Sequence, residues 1–422
     1  MPKALVLGGG VAGCSAAYFL SNKGYEVDIV NEHQQFGGLA RTEYYAGHPY
    51  EFGPHIWFWP GGLEDPINKV INELTNGELY FIDRKLFSYI ESDRRTYRYP
   101  IHFEDIEDMP EKNSILEELR SNRTPDNKLI PENLPVIGQS KFSEYFTAAI
   151  GKTLYTKFMS NYTAKMWNIA GENLETSMVW ADRFNNEYSK TAKEQQWIYD
   201  PIKFQNHTLG QGISFQVYPK NGWNVVWDRM VSQSQKFIDR ITQIKISNNF
   251  GVICTEMGLE FKTVDYDLVV NTLDLDVFFG DKNLPYTGRI IVPLLIPELE
   301  YALPDNAESI HYSSAEYITR ITEMKQITRH ESRDTLLLLE IPVLPGSENA
   351  FPANVIANAQ KKNMFCSKAY PQQSLDAINY HKSLVLKSQR LSNWHNVGRH
   401  AQFKYWGMPE TVKSAYDFTN RL

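Results

Sequence analysis

Cysteine is scarce: Cys14, Cys254 and Cys366 are the whole stock among 422 residues, odd in number and far apart. They form no CxxC pair and no metal-ligand cluster, so neither a disulfide framework nor a bound metal is expected, and a reducing compartment is the default. Long apolar runs are lacking too. A run such as LLLLEIPVL from Leu336 has the length of a buried strand, not of a membrane span. No polybasic segment occurs, and a formal net charge of −7 argues against nucleic acid or an anionic membrane as the main partner. Any phosphate-bearing ligand must then be held by a few local arginines. No secretory or transit signal opens the chain, so a soluble, cytoplasmic protein is expected. Repeats and low-complexity tracts are absent, as are a Ser-His-Asp set and a recognisable pair of catalytic carboxylates.

What is present begins at once. An apolar strand from Ala4 to Leu7 runs into Gly8, Gly10 and Gly13, then a helix through Leu20, then a second strand from Glu26 to Val30. This is a dinucleotide-binding βαβ opening: Gly8 allows the tight bend, Gly10 lets a pyrophosphate approach the backbone, and Gly13 lets helix and strand sit close. Unpaired amides and the positive end of the helix dipole would face the phosphates. A second glycine pair, Gly37 and Gly38, follows in the stretch FGGLART. The combination of GxGxxG with GGxxRT resembles the FAD-binding opening of glutathione-reductase-like and amine-oxidase-like flavoproteins, in which the later loop, here Gly38 and Leu39, passes the cofactor. Such sites usually end the second strand with Asp or Glu, which binds ribose hydroxyls. Here Asn31 stands in that place with Glu32 next, so either Glu32 reaches the ribose or Asn31 makes a neutral hydrogen bond.

Length allows two or three domains. EYYAGHPYEFGPHIWFWPGG suggests a short hairpin and then a loop carrying His55, read either as a hydrogen-bonded loop residue or as a catalytic one. A short helix is expected from Pro66 to Leu74 and two strands between Leu86 and Tyr99. Helical spacing from Ser140 to Trp167 marks a mainly helical insert. Asn185 to Gly212 reads as a mobile loop or flap, and VYPKNGWNVVWDRMVSQSQKFI as a strand, a turn at Asn221-Gly222 and an amphipathic helix. TVDYDLVVNTLDLD follows as a buried strand, and together with that helix it returns the chain to the first sheet. RIIVPLLI, EYITRITEMKQI and TLLLLEIPV then predict an antiparallel sheet forming one wall of a ligand cleft. The expected fold class is α/β: a Rossmann-like FAD-binding domain (1–80 with 210–280 and 385–422), a helical substrate domain (104–195) and an antiparallel sheet domain (81–103 with 281–384).

The segment YTAKMW from Tyr162 to Trp167 closely resembles the YTxKxW stretch of UDP-galactopyranose mutases, which share this flavin-domain opening. Further matches keep the family's order: LYTKF before it, PKNGW at Pro219 to Trp223, YITRI around Arg320, AYP at Ala369 to Pro371, and GRHAQFKYWGM from Gly398 to Met408. Carried over by position, Phe158, Tyr162, Thr163 and Trp167 fall where the family holds uridine and sugar. On a helix, residues 158, 162 and 166 share one face, so Phe158 and Tyr162 would form a stacking wall; a plain core stripe is the alternative. Arg320 matches the diphosphate-binding arginine, Arg183 the mobile-loop arginine, and Tyr370 and Tyr405 the tyrosines that donate to the same diphosphate. Arg399 and Met408 would approach the flavin, with Met408-Pro409 opening the last helix.

The resemblance implies an isomerisation without net redox change: reduced FAD attacks the anomeric carbon through N5, displaces the nucleoside diphosphate, and the sugar ring opens and recloses through another hydroxyl. The substrate it implies is a UDP-sugar, UDP-galactose-like, in a route to galactofuranose and polysaccharide; a homodimer is left open. Departures bear on the sugar. Gly407 stands where the family usually has aspartate, Trp223 replaces a tyrosine, and Phe403 replaces another. Two rival readings are an FAD-dependent oxidase or desaturase, which predicts an apolar substrate tunnel, and a catalytically silent nucleotide-sugar binder.

Overall fold

Four residues without exposed surface, Ala4 to Leu7, make β1 (Lys3–Leu7) the centre of a five-stranded parallel sheet. The chain turns through Gly8 into the helix α1 (Val11–Asn22) and returns as β2 (Glu26–Asn31), paired in parallel with β1. Strand order is Gln235–Ile238, β2, β1, Leu268–Asn271, Trp394–Asn396. An open parallel sheet of this kind binds ligands outside the carboxyl ends of its strands, which is where the glycine turn lies. The computed structural model describes residues 1–59, 61–137, 139–176, 200–204, 215–247, 250–314, 317–343 and 364–422.

The edge strand Gln235–Ile238 corrects one expectation. The helix after the Asn221-Gly222 turn spans only Asn224–Met230, and KFI, expected to continue it, instead extends the sheet beside β2. Helical spacing over those residues is real, but an open sheet edge offers them a hydrogen-bonding ladder and a half-buried face.

A second sheet of seven strands runs in the order Phe365–Pro371, Tyr286–Ile296, Thr335–Val343, Arg320–Glu323, Ser309–Tyr312, Leu86–Ile90, Arg95–Tyr99. Its pairs are antiparallel except Ser309–Tyr312 with Leu86–Ile90, which run parallel. Among its described residues, EYITRITEMKQI is a strand only over Arg320–Glu323 and turns into the short helix Lys325–Thr328. This sheet walls one side of the large cleft. The helices Phe142–Leu154 and Asn161–Trp167, joined by a π-helical turn at Tyr155–Ser160, also border the cleft, and the ring of Tyr162 meets that of His311 on the sheet. Their core of Tyr145, Phe146, Leu154 and Phe158 is separate from that of the parallel sheet, and Tyr370 and Tyr405 pack against it. Among the described residues no helix is long and apolar enough to cross a membrane.

Candidate active site

The glycine turn is built by exclusion. Gly8 has φ +99°, and a Cβ on it would stand 2.7 Å from Thr272 Oγ1; a Cβ on Gly13 would stand 1.8 Å from the Gly8 carbonyl oxygen. These two positions therefore set the bend and the closeness of α1 to β1. Gly13 sits beneath the turn rather than in the cleft. A Cβ on Gly10 meets nothing within 4 Å, and Gly10 borders a cleft of about 1220 Å³. Backbone facing open space at the start of a twelve-residue helix is what a pyrophosphate needs. Gly37 N donates to the Gly9 carbonyl at 2.8 Å, so the FGGLART loop is tied to the turn and brings Gly38 and Leu39 to the same cleft.

Asn31 is committed to protein. Its Oδ1 accepts from Gly9 N at 3.2 Å, and its Nδ2 donates to the carbonyls of His33 at 2.6 Å and Gln35 at 3.1 Å. The carboxamide thus braces the turn and the following loop together. Glu32 borders the cleft and lies 3.8 Å from Arg240.

Farther along, the cleft is lined by His55, Phe158, Tyr162, Thr163, Trp167 and Arg320, and by Tyr370, Arg399, Tyr405 and Met408. The structure thus gathers every site residue expected from the sequence except Gly13, placed below the turn, and Arg183, which lies outside the described residues together with most of the segment read as a flap. Phe158 reaches the wall from within the π-helical turn, not from the straight α-helix implied by i, i+4 spacing. Trp167, 3 % exposed, meets Tyr405 and Tyr370 edge-on with ring centres 5.1 and 6.4 Å apart.

Arg320 is the principal cation of this wall. Its Nη2 pairs with Glu340 Oε2, while Glu340 Oε1 accepts from Arg289 Nε at 3.0 Å. Burial works against the charge on each group, but attraction prevails. Arg320 and Arg289 hold the Glu340 carboxyl down to about 2, and Glu340 in turn holds Arg320 charged. Two guanidiniums against one carboxylate leave a net positive unit, and Arg320 Nε is buried with no hydrogen-bond partner among the described residues. An orphaned donor on a fixed arginine at a cleft wall fits an anionic oxygen. Above the rings, Arg289 and Arg399 stand 4.8 and 5.5 Å from the centre of Tyr370.

His55 is neutral: burial, aided by Arg399 and Arg320, pushes it down to about 4 against the pull of Gly53. Its Nδ1 lies 2.9 Å from the Gly53 carbonyl, to which it donates. The indole N–H of Trp223 takes the His55 carbonyl at 2.6 Å, and Trp223 stacks on Trp227, so the tryptophan at the PKNGW turn fixes the His55 loop. The last helix, Met408–Asn420, begins at the cleft with Glu410 Oε2 accepting from Gly407 N at 2.9 Å.

Several cleft residues carried no signal in the sequence: Glu340, His311, Arg84, Asp274, Lys368 and His400. His311 faces Arg320 across the register of two strands, and Glu340 does so from the other side.

Comparison with known proteins places the chain. A family model for an NAD(P)-binding Rossmann-like domain matches residues 6–74, and one described as UDP-galactopyranose mutase matches residues 157–405. Among curated proteins, 1-hydroxycarotenoid 3,4-desaturase of Flavobacterium sp. (strain P99-3) is 22% identical over 287 residues, 65% of this chain and 57% of that protein. Polyamine oxidase 3 of Oryza sativa subsp. japonica is 32% identical over 108 residues, 24% of this chain and 22% of that protein. The chain thus spans less than two thirds of the length of these curated relatives. Among solved structures, reduced UDP-galactopyranose mutase superposes with a TM-score of 0.73 at 15% identity, covering 100% of this chain and 93% of that one. An oxidoreductase from Methanosarcina mazei gives 0.60 at 13%, covering 98% and 100%. At these identities the structural matches establish the fold.

Proposed function

The chain belongs to the UDP-galactopyranose mutase family, and from that premise we propose that it is a flavin-dependent mutase interconverting the pyranose and furanose forms of a UDP-sugar, UDP-galactose-like, without net redox change. The observation that carries this reading is the Arg320 guanidinium, held by Glu340 and keeping an orphaned Nε, on the wall of the same cleft that the glycine turn opens.

When bound, reduced FAD supplies the nucleophile, its N5, toward the anomeric carbon. The chain does the rest. Gly10 and the start of α1 (Val11–Asn22) would hold the pyrophosphate of the cofactor, and the start of Met408–Asn420 would offer it a second positive helix end. Arg320, Tyr370 and Tyr405 bind the diphosphate, the leaving group, so that charge developing there meets fixed donors; Arg183 belongs to this set. Phe158, Tyr162, Thr163 and Trp167 take the uridine and sugar. His55, neutral, holds its proton at Nδ1 on the Gly53 carbonyl and keeps its ring fixed beside the reacting region. The three-part division expected from the sequence serves this: a cofactor domain, a helical substrate domain, and a sheet that carries the arginine.

The likeness to a desaturase and a polyamine oxidase supports a second reading, an FAD-dependent oxidoreductase. Six cations bordering the cleft, Arg41, Arg84, Arg240, Arg320, Lys368 and Arg399, speak against the apolar tunnel that reading needs. The deciding experiment reduces the purified protein with dithionite and incubates it anaerobically with UDP- and dTDP-sugars. Pyranose-furanose conversion in the reduced state only is expected. Flavin reoxidation coupled to an altered substrate overturns it in favour of the oxidoreductase, and binding without conversion in favour of a silent binder.

A further inference from the structure

Asp274 follows the strand Leu268–Asn271 and His400 follows Trp394–Asn396, so both lie at the carboxyl ends of the strands on the side of β1 away from β2. A dinucleotide whose pyrophosphate rests over the glycine turn sends its adenosine toward β2 and its other half toward these residues. His400 Nδ1 lies 3.1 Å from Asp274 Oδ1. The imidazole stacks on Tyr286, ring centres 5.5 Å apart and planes 12° from parallel, and the Tyr286 hydroxyl donates to the same carboxylate. Lys368 Nζ closes the other side, 3.4 Å from Asp274 Oδ2 and 3.0 Å from Asp276 Oδ2. Asp274, Lys368 and His400 all border the cleft, and the diphosphate-holding set uses none of them.

An ionised carboxylate only accepts hydrogen bonds, so Asp274 keeps the hydrogen of His400 on Nδ1. Burial would raise the Asp274 carboxyl, but His400, Lys368 and Tyr286 together hold it well below the usual range. Asp274 therefore stays anionic and engages Nδ1, and Nε2 is the ring nitrogen of His400 that the pair does not use.

We propose that His400, oriented by Asp274, is a proton acceptor for the flavin half of the cleft, taking up a proton when the bound cofactor becomes negatively charged on reduction. The proposal rests on the flavin reading above. An external reductant delivers two electrons, the cofactor takes one proton with them and keeps one negative charge, and a second proton passes from water to His400 Nε2, forming imidazolium. Asp274 and Asp276 favour that charge; Lys368 on the strand Phe365–Pro371 and Arg399 beside His400 oppose it. Tyr286 stays neutral, raised by burial and by Asp274, and His381, lowered by burial, has its Nε2 2.9 Å from the Ala401 carbonyl.

The test is the midpoint potential of the bound flavin, titrated with dithionite and indicator dyes between about pH 6 and pH 9. Wild type should show a window in which the potential falls about twice as steeply with pH as outside it, because a second proton accompanies the same two electrons. His400→Leu should give a single slope with oxidised flavin content kept, and Asp274→Asn should move the window to lower pH. Should His400→Leu lose flavin, His400→Gln, which keeps a polar side chain without a titrating group, must give the single slope. A wild-type profile without the window, or a window surviving either His400 variant, overturns the role of His400 while the flavin reading stands. Purified protein that neither carries nor takes up flavin overturns both.

Discussion

Glu340 lies directly across from Arg320 in the sheet and divides its carboxylate between two arginines, Oε2 to Arg320 and Oε1 to Arg289 at 3.0 Å. Arg289, 2 % exposed, also donates to the Gly288 carbonyl at 2.6 Å and covers the ring of Tyr370. Arg320 is thus held by its neighbours in the sheet, and a carboxylate with two cations cannot be replaced by a neutral group without leaving buried charge. Glu340→Gln should destabilise the fold by about 3 kcal/mol, as expected when one partner of a buried ion pair is removed, read as a lower urea midpoint at unchanged slope. The folded Glu340 carboxyl is depressed below its unfolded value. Its contribution is therefore present above the ordinary carboxylate range and lost as pH falls from there toward about 2. The deficit of the variant should shrink over that window.

Arg320→Ala removes the fixed fork from the wall but nothing from the glycine turn. Nucleotide-sugar affinity should fall on the order of 100-fold, the size of two charge-assisted hydrogen bonds, with turnover nearly abolished. Flavin content, read from visible absorbance, should remain that of wild type. Normal turnover would remove Arg320 from the diphosphate site.

Trp167 closes the wall edge-on to Tyr370 and Tyr405, and Gln372 Nε2 donates to its backbone carbonyl at 2.6 Å. Deletion to alanine would also open a cavity worth about 3–5 kcal/mol, so Trp167→Phe separates packing from recognition. The variant should stay folded and keep its flavin while the UDP-sugar dissociation constant rises roughly tenfold, the order of one lost aromatic contact. Isothermal titration with the reduced protein checks this; unchanged affinity returns Trp167 to a core role.

The glycine turn is legible in the sequence because each of its residues answers a local need: Gly8 a positive φ, Gly13 a close approach, Gly10 an open face. The same holds for Pro66–Leu74, with its proline at the first helical position and Asp65 capping two amides. Register is not legible in this way. That Glu340, the polar end of an apolar run, meets Arg320 depends on how two strands slide past each other, and no local period states it. Asp274 and His400 are likewise joined only by strand order, 126 residues apart. Phe158 shows another limit, since apolar spacing marks a helix without revealing that Tyr155–Ser160 winds as a π-turn.

The place of Asn31 invites a direct test, since the acid usually found there would be expected to bind ribose. Here the carboxamide donates twice to carbonyl oxygens of the next loop. Asn31→Asp would keep the acceptor toward Gly9 N and set a carboxylate against two carbonyls, leaving those acceptors unpaired. Flavin should be lost more readily on dialysis, and stability should drop by about 1–3 kcal/mol, the range for buried polar groups left unsatisfied. Tighter flavin retention would show that the position still serves the ribose and that its bracing role is secondary.

Glu51 carries the clearest pH signature outside the cleft. It has no exposed surface, and its Oε1 accepts from Thr42 Oγ1 at 2.9 Å and from the Tyr218 hydroxyl, while Oε2 has no partner among the described residues. Burial pushes its carboxyl up to about 8, the two hydroxyls offsetting only part of that. The sign follows from proton binding: between the ordinary carboxylate value and about 8 the folded state holds a proton that the unfolded state has released. Stability attributable to Glu51 is therefore complete in acid and declines as pH rises through that window, by at most about 1.4 kcal/mol per pH unit. Glu51→Gln keeps shape and acceptor without the charge, so it should be close to wild type near pH 5 and more stable by several kcal/mol near pH 8.5. Denaturant midpoints at the two pH values decide it. Thr42 Oγ1 also accepts from Trp223 N at 2.9 Å, and the Trp223 indole donates to the His55 carbonyl, so Glu51 anchors the His55 loop through these two residues.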